Sequence, residues 1–216
     1  MQPDRSTRET LVTVARDLFL AKGYHSTGIA EIVKAAGVHP GSLYYHFPTK
    51  EDLLIAVLEW YRDNIYEGLL KPVWERVSDP IERIFGILDG YRQLILLTNF
   101  DLGCPIGNLA LEITNTHPKA RELLQANFEN WVDQIEGCLN DAEGRLPSDL
   151  DRRSLAMHIL TVMEGAVMVA RTARKTEPFD MAIVQLRDYL DRLLSDGTEW
   201  ASPKASRSIS HFSGNE

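Results

Sequence analysis

Cysteine is almost absent from this chain: Cys104 and Cys138 are the only two in 216 residues, too few for a disulfide framework, and each is expected as a free thiol. Long apolar runs are missing too. No stretch of eighteen apolar residues occurs, and the opening MQPDRSTRET carries no apolar leader segment, so neither a membrane span nor secretion is expected and the protein reads as cytoplasmic. Alternating apolar and polar positions, the mark of a half-buried strand, are not found. There is no H-E-x-x-H, no E-x-x-H pair, no G-x-S-x-G and no phosphate loop, and the six histidines are scattered. These absences argue against an enzyme, and no cofactor or metal is expected.

Positive charge is also in deficit, with a formal net charge of -8. The deficit is uneven. Residues 1 to 50 hold six of the basic and four of the acidic residues, a net of +2, leaving 17 basic and 27 acidic residues, a net of -10, for 51 to 216. A mildly basic N-terminal unit that could meet phosphate is attached to an acidic body that would not.

What is present is helical spacing. Leu11, Val14, Ala15, Leu18 and Phe19 mark one face of a first helix ended by Lys22-Gly23. Ile29, Ile32, Val33 and Ala36 mark a short second helix stopped at Gly37, and a third runs from Pro40 to just before Pro48. Thr49 opens a T-x-x-D capping box for a fourth, longer helix through Leu54, Leu58, Tyr61, Ile65 and Leu69 towards Pro72. Five more follow: one after Ser78-Asp79-Pro80, one opened by GCPIG at 103 to 107, and one from His117-Pro118 with a Leu124, Phe128, Trp131, Ile135, Leu139 stripe. The eighth is capped by Ser148 with Asp151, and the ninth follows Pro178. The expected fold is all-α with about nine helices: a helix-turn-helix unit over 1–49, a helical bundle over 50–197, and a serine-rich disordered tail over 198–216.

Three short helices with AAGV joining the second and third suit a helix-turn-helix that lays its last helix in the DNA major groove. On that helix Leu43 and Phe47, four apart, face the core, which leaves Pro40, Gly41, Ser42, Tyr45 and His46 outward. Small residues at its start permit close approach to base edges, and a tyrosine can touch a thymine methyl while its hydroxyl reaches phosphate. Lys50 stands in the first turn of a helix, where the macrodipole disfavours a cation by about 0.3–1 kcal/mol; a phosphate contact would explain the placement. Thr27, ahead of the second helix, suits a cap or a phosphate contact equally.

The stretch TGIAEIVKAAGVHPGSLYYHFPTKEDLL, residues 27 to 54, resembles the DNA-binding signature of TetR-family transcriptional regulators, approximated as T-x-x-x-I-A-x-x-A-G-V-x-x-G-x-L-Y-x-H-F-x-x-K-x-x-L. The resemblance implies contacts to a double-stranded DNA operator from Thr27, Ser42, Tyr44, Tyr45, His46 and Lys50, with His39, Pro40 and Gly41 at the groove-facing start. It departs from the usual pattern at Ile32-Val33, in place of I-A, and at His39-Pro40, in place of a polar or basic pair. The second departure bears on base preference.

The resemblance further implies a homodimer and a small-molecule effector bound in the body, whose binding spreads the two reading units. Tyr61, Tyr91, Arg92, Phe100, Cys104, Trp131 and His158 are the candidate effector residues, although each would also serve as ordinary packing. GCPIG resembles a subgroup element, GCPxG, at the start of the sixth helix, some carriers of which sense electrophiles or oxidants. For Cys104, tight packing beside Gly103 and Gly107 is favoured over a sensing thiol, since no Lys or Arg is near in sequence. The small residues of EGAVMVA (164–170) and the leucine stripe of 183–194 place the dimer interface on the eighth and ninth helices. Two short reading helices about 34 Å apart would read a palindrome where one would make too few contacts. The expected function is a one-component regulator, a repressor released by its effector; the competing reading is a helical small-molecule carrier without DNA binding.

Overall fold

A computed structural model describes residues 6–195, so the tail expected over 198–216 lies outside the described residues. Ten α-helices follow in order: α1 (Thr7–Lys22), α2 (Ile29–Ala36), α3 (Pro40–His46), α4 (Lys50–Ile65), α5 (Lys71–Trp74), α6 (Pro80–Leu97), α7 (Pro105–Ile113), α8 (Pro118–Asp141), α9 (Arg152–Ala173) and α10 (Glu177–Ser195). There is no strand among the described residues, and the all-α expectation holds. The count exceeds nine because the expected fourth helix does not continue to Pro72. It loosens into a π-helical turn over Tyr66–Leu70, and α5 follows as a separate short helix.

Local chemistry sets most boundaries. Ser6 and Glu9 form a reciprocal capping box on α1, with Glu9 N–H donating to Ser6 Oγ at 3.3 Å and Ser6 N–H to Glu9 Oε2 at 3.1 Å. Gly37 ends α2 at φ +66°, a left-handed cap that only glycine adopts without strain. Thr49 and Asp52 cap each other as the T-x-x-D pattern predicts, with Asp52 N–H donating to Thr49 Oγ1 at 3.1 Å and Thr49 N–H to Asp52 Oδ2 at 2.9 Å. For α9 the cap is Asp151, which accepts from Ser154 N–H at 2.9 Å; Ser148 is one turn too early. The buried face of α1 is Leu11, Val12, Ala15 and Phe19, rotated so that Val14 and Leu18 lie at the core margin.

One hydrophobic core runs without interruption from Leu11 in α1 to Leu190 in α10. Helix α4 packs on both α1 and α8. Two α8 side chains fix that second contact: Asn127 Nδ2 donates to Leu58 O at 3.1 Å and Asn130 Nδ2 to Arg62 O at 3.1 Å. Helix α9 is long and apolar enough for a membrane span, but eight of its residues lie in this core.

Candidate nucleic-acid interface

Helices α2 and α3 meet across Gly37-Val38-His39, and α3 is anchored by Leu43, fully buried, with Phe47 buried just past its end. Its other face is open. Pro40, Gly41 and Tyr44 are exposed, and Tyr45 is 84% exposed, an unusual placement for so large a ring. Ser42 and His46 are half-exposed, and the Tyr45 and His46 rings meet edge to face with centroids 5.0 Å apart. His39 caps the helix itself: its Nδ1 accepts from Gly41 N–H at 3.1 Å. One seven-residue helix thus presents a hydroxyl, two phenols, an imidazole and a small-residue start, all without internal partners in the core.

Thr27 and Lys50 both have partners within the protein. Thr27 is fully buried and caps nothing in α2, whose N-cap, Gly28, has no side-chain bond; its hydroxyl donates back to Gly23 O at 2.7 Å and Leu18 O at 3.4 Å. It steadies the α1–α2 turn and is not presented to a phosphate. Lys50 Nζ donates to Tyr24 O at 2.5 Å and sits 4.1 Å from the Tyr24 ring centroid. Burial lowers its pKa, against the opposing charge of Glu112. The cation that the α4 dipole disfavours is therefore met within the protein, by a ring and a carbonyl.

Glu112, in α7, was not among the candidate residues, yet it links the body to this unit. Its Oε2 accepts from Tyr24 N–H at 2.5 Å, and its carboxylate occupies the space where a side chain at Gly23 (φ +84°) would stand. His25 Nε2 lies 3.3 Å from Glu112 O, and the His117 ring meets Tyr24 edge to face at 5.0 Å. The pairing joins residues 88 positions apart, so no local pattern announces it.

In the body, Tyr61, Tyr91 and Trp131 come together, lining a cavity of about 400 Å³ between α4, α6, α7 and α8. Its walls are otherwise mainly apolar, with Asn64, Gln93 and Asn127 as the amide side chains among its lining residues. Burial pushes both tyrosine hydroxyls well above their ordinary pKa, so they serve as neutral hydrogen-bonding groups. Asn127 was missed although it interrupts the Leu124, Phe128, Trp131 stripe with a buried amide. Phe100 and Cys104 line a neighbouring cavity instead. Arg92 and His158 line neither: Arg92 pairs with Asp180 of α10 at 2.6 and 3.1 Å, and His158 is exposed beside the Tyr189 ring. Cys104 is buried at the head of α7, its Sγ accepting from Gly107 N–H at 3.5 Å. Burial, with the Glu164 carboxyl next in importance, pushes its thiol well up, which keeps it protonated.

A reading helix with a bare polar face, carried on a helical body that encloses an apolar cavity, defines a helix-turn-helix DNA-binding regulator. Residues 11–57 match the family of bacterial regulatory proteins of the tetR family, and residues 80–186 match the tetracyclin repressor-like C-terminal domain. The chain is 29% identical over 185 residues to the HTH-type transcriptional repressor DhaR of Mycobacterium sp. (strain GP1), covering 85% of this chain and 91% of that protein. It is 28% identical over 173 residues to the HTH-type transcriptional regulator LmrA of Bacillus subtilis, covering 80% and 90%. A TetR transcriptional regulator from Chloroflexus aurantiacus, solved by crystallography, superposes with a TM-score of 0.76 at 30% identity, covering 90% of this chain and 98% of that one. The chain belongs to the TetR family of transcriptional regulators. It is a DNA-binding regulator of transcription and not an enzyme.

Proposed function

We propose that this protein is a cytoplasmic repressor that binds a palindromic operator as a homodimer and leaves it when a small molecule enters the body. The observation that carries the DNA reading is the outward face of α3. His39, Pro40 and Gly41 form the groove-facing start, Ser42 and Tyr45 reach base edges, and Tyr44 and His46 reach the flanking phosphates. Lys50 joins them if it exchanges the Tyr24 carbonyl for a phosphate oxygen, an exchange within the reach of one flexible side chain. The reading unit spans 1–49 and the body 50–197.

The dimer face is the outer surface of α9 and α10, where Met157, Val169, Met181, Val184 and Tyr189 are all 41–70% exposed. So many large apolar side chains on two adjacent helices favour a two-fold four-helix contact. The 400 Å³ cavity suits an apolar effector with one or two polar groups that meet Asn127, Tyr61 or Tyr91. Two routes lead from it to DNA: α4, which lines it and begins at Lys50, and α7, which lines it with Pro105 and Ile106 and grips Tyr24 through Glu112. The GCPIG opening of α7 groups the chain with GCPxG members of the family.

Selection of bound fragments from the source genome tests the reading. The expected result is enrichment of a palindrome whose binding falls steeply with salt; an absence of binding at low salt would favour a carrier instead.

A further inference from the structure

The second cavity, about 620 Å³, lies between α7, α8 and α9 and shares no lining residue with the first. Phe100, Leu111, Phe128 and Met168 make its apolar walls, and the only carboxyl group among its lining residues is Glu164. Glu164 comes from the EGAVMVA run, where a lone acidic residue stands among small and apolar ones. Its carboxyl lies against the backbone of Gly107, in space that any Cβ there would overlap. Oε1 is buried and has no hydrogen-bond partner. Such an orphaned oxygen is unfavourable and is met when a donor arrives.

No ion pair joins a cation to it among the described residues. Arg171, on the same helix and lining the same cavity, directs its guanidinium to Asn108 Oδ1 (2.9 Å), Asp101 O (2.8 Å) and Phe100 O (3.4 Å). Those bonds hold the turn in which Asn99 and Phe100 adopt φ of +49° and +64°, so Arg171 is committed to the cavity wall. Burial raises the pKa of the Glu164 carboxyl, and a hydrogen bond with the Cys104 thiol opposes that rise. An acidic group is thus held at the wall of an apolar, partly enclosed space with one buried oxygen unpartnered.

The geometry points to a binding site for a small organic ammonium ion, its N–H donors on Glu164 Oε1 and its hydrocarbon body among Phe100, Leu111, Phe128 and Met168. An ammonium ion brings both the missing donor and the opposite charge, and the apolar walls strengthen that attraction by excluding water. Aromatic walls also tolerate a cation at their faces. The inference goes beyond the effector reading, which concerns the 400 Å³ cavity, by assigning a ligand class to a second site; binding itself can be measured without DNA.

The test is isothermal titration calorimetry of the full-length protein with 4-phenylbutylamine, 4-phenylbutanol and 4-phenylbutyrate. The amine is expected to bind at least tenfold more tightly than the alcohol, and the carboxylate least. Glu164→Gln should abolish the preference for the amine while leaving the alcohol's binding in place. Gly107→Ala, which displaces the carboxyl without changing any charge, should reduce the preference in the same direction, and keeps the test open if Glu164→Gln proves unstable in a thermal melt. Equal amine affinity in Glu164→Gln and the parent, an amine no tighter than the alcohol, or no binding of any probe would overturn the site. Operator release is scored separately: an amine that binds through Glu164 but leaves the operator occupied supports the site and leaves the effector to the 400 Å³ cavity.

Discussion

Glu112 holds the α1–α2 turn to α7 through a charge-assisted hydrogen bond from Tyr24 N–H, 2.5 Å long and partly buried. Glu112→Ala removes the acceptor and leaves that backbone N–H without its partner in a crowded turn. A hydrogen bond to a charged group contributes about 1.5–3 kcal/mol, and the unsatisfied donor places the loss within that range. For a chain of this size, about 2–4 °C of melting temperature corresponds to each kcal/mol, so a fall of roughly 3–12 °C is expected. Glu112→Gln keeps an acceptor but loses the charge near Lys50, so it should fall by less. The assay is a thermal melt at pH 7.5 with matched urea denaturation, and coupling is read from a double-mutant cycle with Lys50→Met. A change under about 0.5 kcal/mol in Glu112→Ala, within the range of ordinary surface substitutions, would refute the claim that this contact ties the reading unit to the body.

Other outcomes follow from the same structure. Met181→Glu combined with Val184→Glu, on the exposed face of α10, should convert the dimer to monomer in analytical ultracentrifugation while helicity by circular dichroism is retained; a dimer unchanged in mass would move the interface elsewhere. Cys104 and Cys138, both buried, should resist iodoacetamide in the native protein at pH 7.5 and react once it is unfolded; rapid native alkylation of Cys104 would revive the sensing thiol. Burial pushes the Cys138 thiol from 9.0 up to about 11. A raised folded pKa means that the protonated form favours the fold, so its contribution is full below about pH 9 and is lost as pH climbs through about 11. Cys138→Ala should therefore flatten the alkaline decline in stability measured across that window; an identical slope would remove Cys138 as a source.

The reading helix was legible because its constraints are local. The Leu43–Phe47 spacing, Pro40 at a first turn and the T-x-x-D cap each operate within five residues, and the structure keeps all three. The partners of Thr27 and Lys50 were not legible because they are tertiary: Thr27 turns back to Gly23 and Leu18 across a loop, and Lys50 meets Tyr24, 26 positions away. The effector candidates divided for a related reason. An aromatic residue on a helical stripe is expected to be buried, and Tyr91 and Trp131 are, but burial does not say which cavity a ring borders. Arg92 and His158 shared that spacing and came out on the α6–α10 and α9–α10 surfaces. The end of α4 failed differently: Gly68 and the π-helical turn interrupt a stripe whose apolar periodicity continues unbroken in the sequence.

The central claim is that the bare face of α3 reads DNA, and Tyr45→Ala addresses it most directly. Fluorescence anisotropy of the full-length protein on its selected operator, at one fixed salt concentration, should show a loss of about 1–3 kcal/mol of binding, roughly 5- to 150-fold. The ring is 84% exposed, so the melting temperature should stay within about a degree or two of the parent. Equal operator affinity in Tyr45→Ala and the parent, with both folded, would contradict the account.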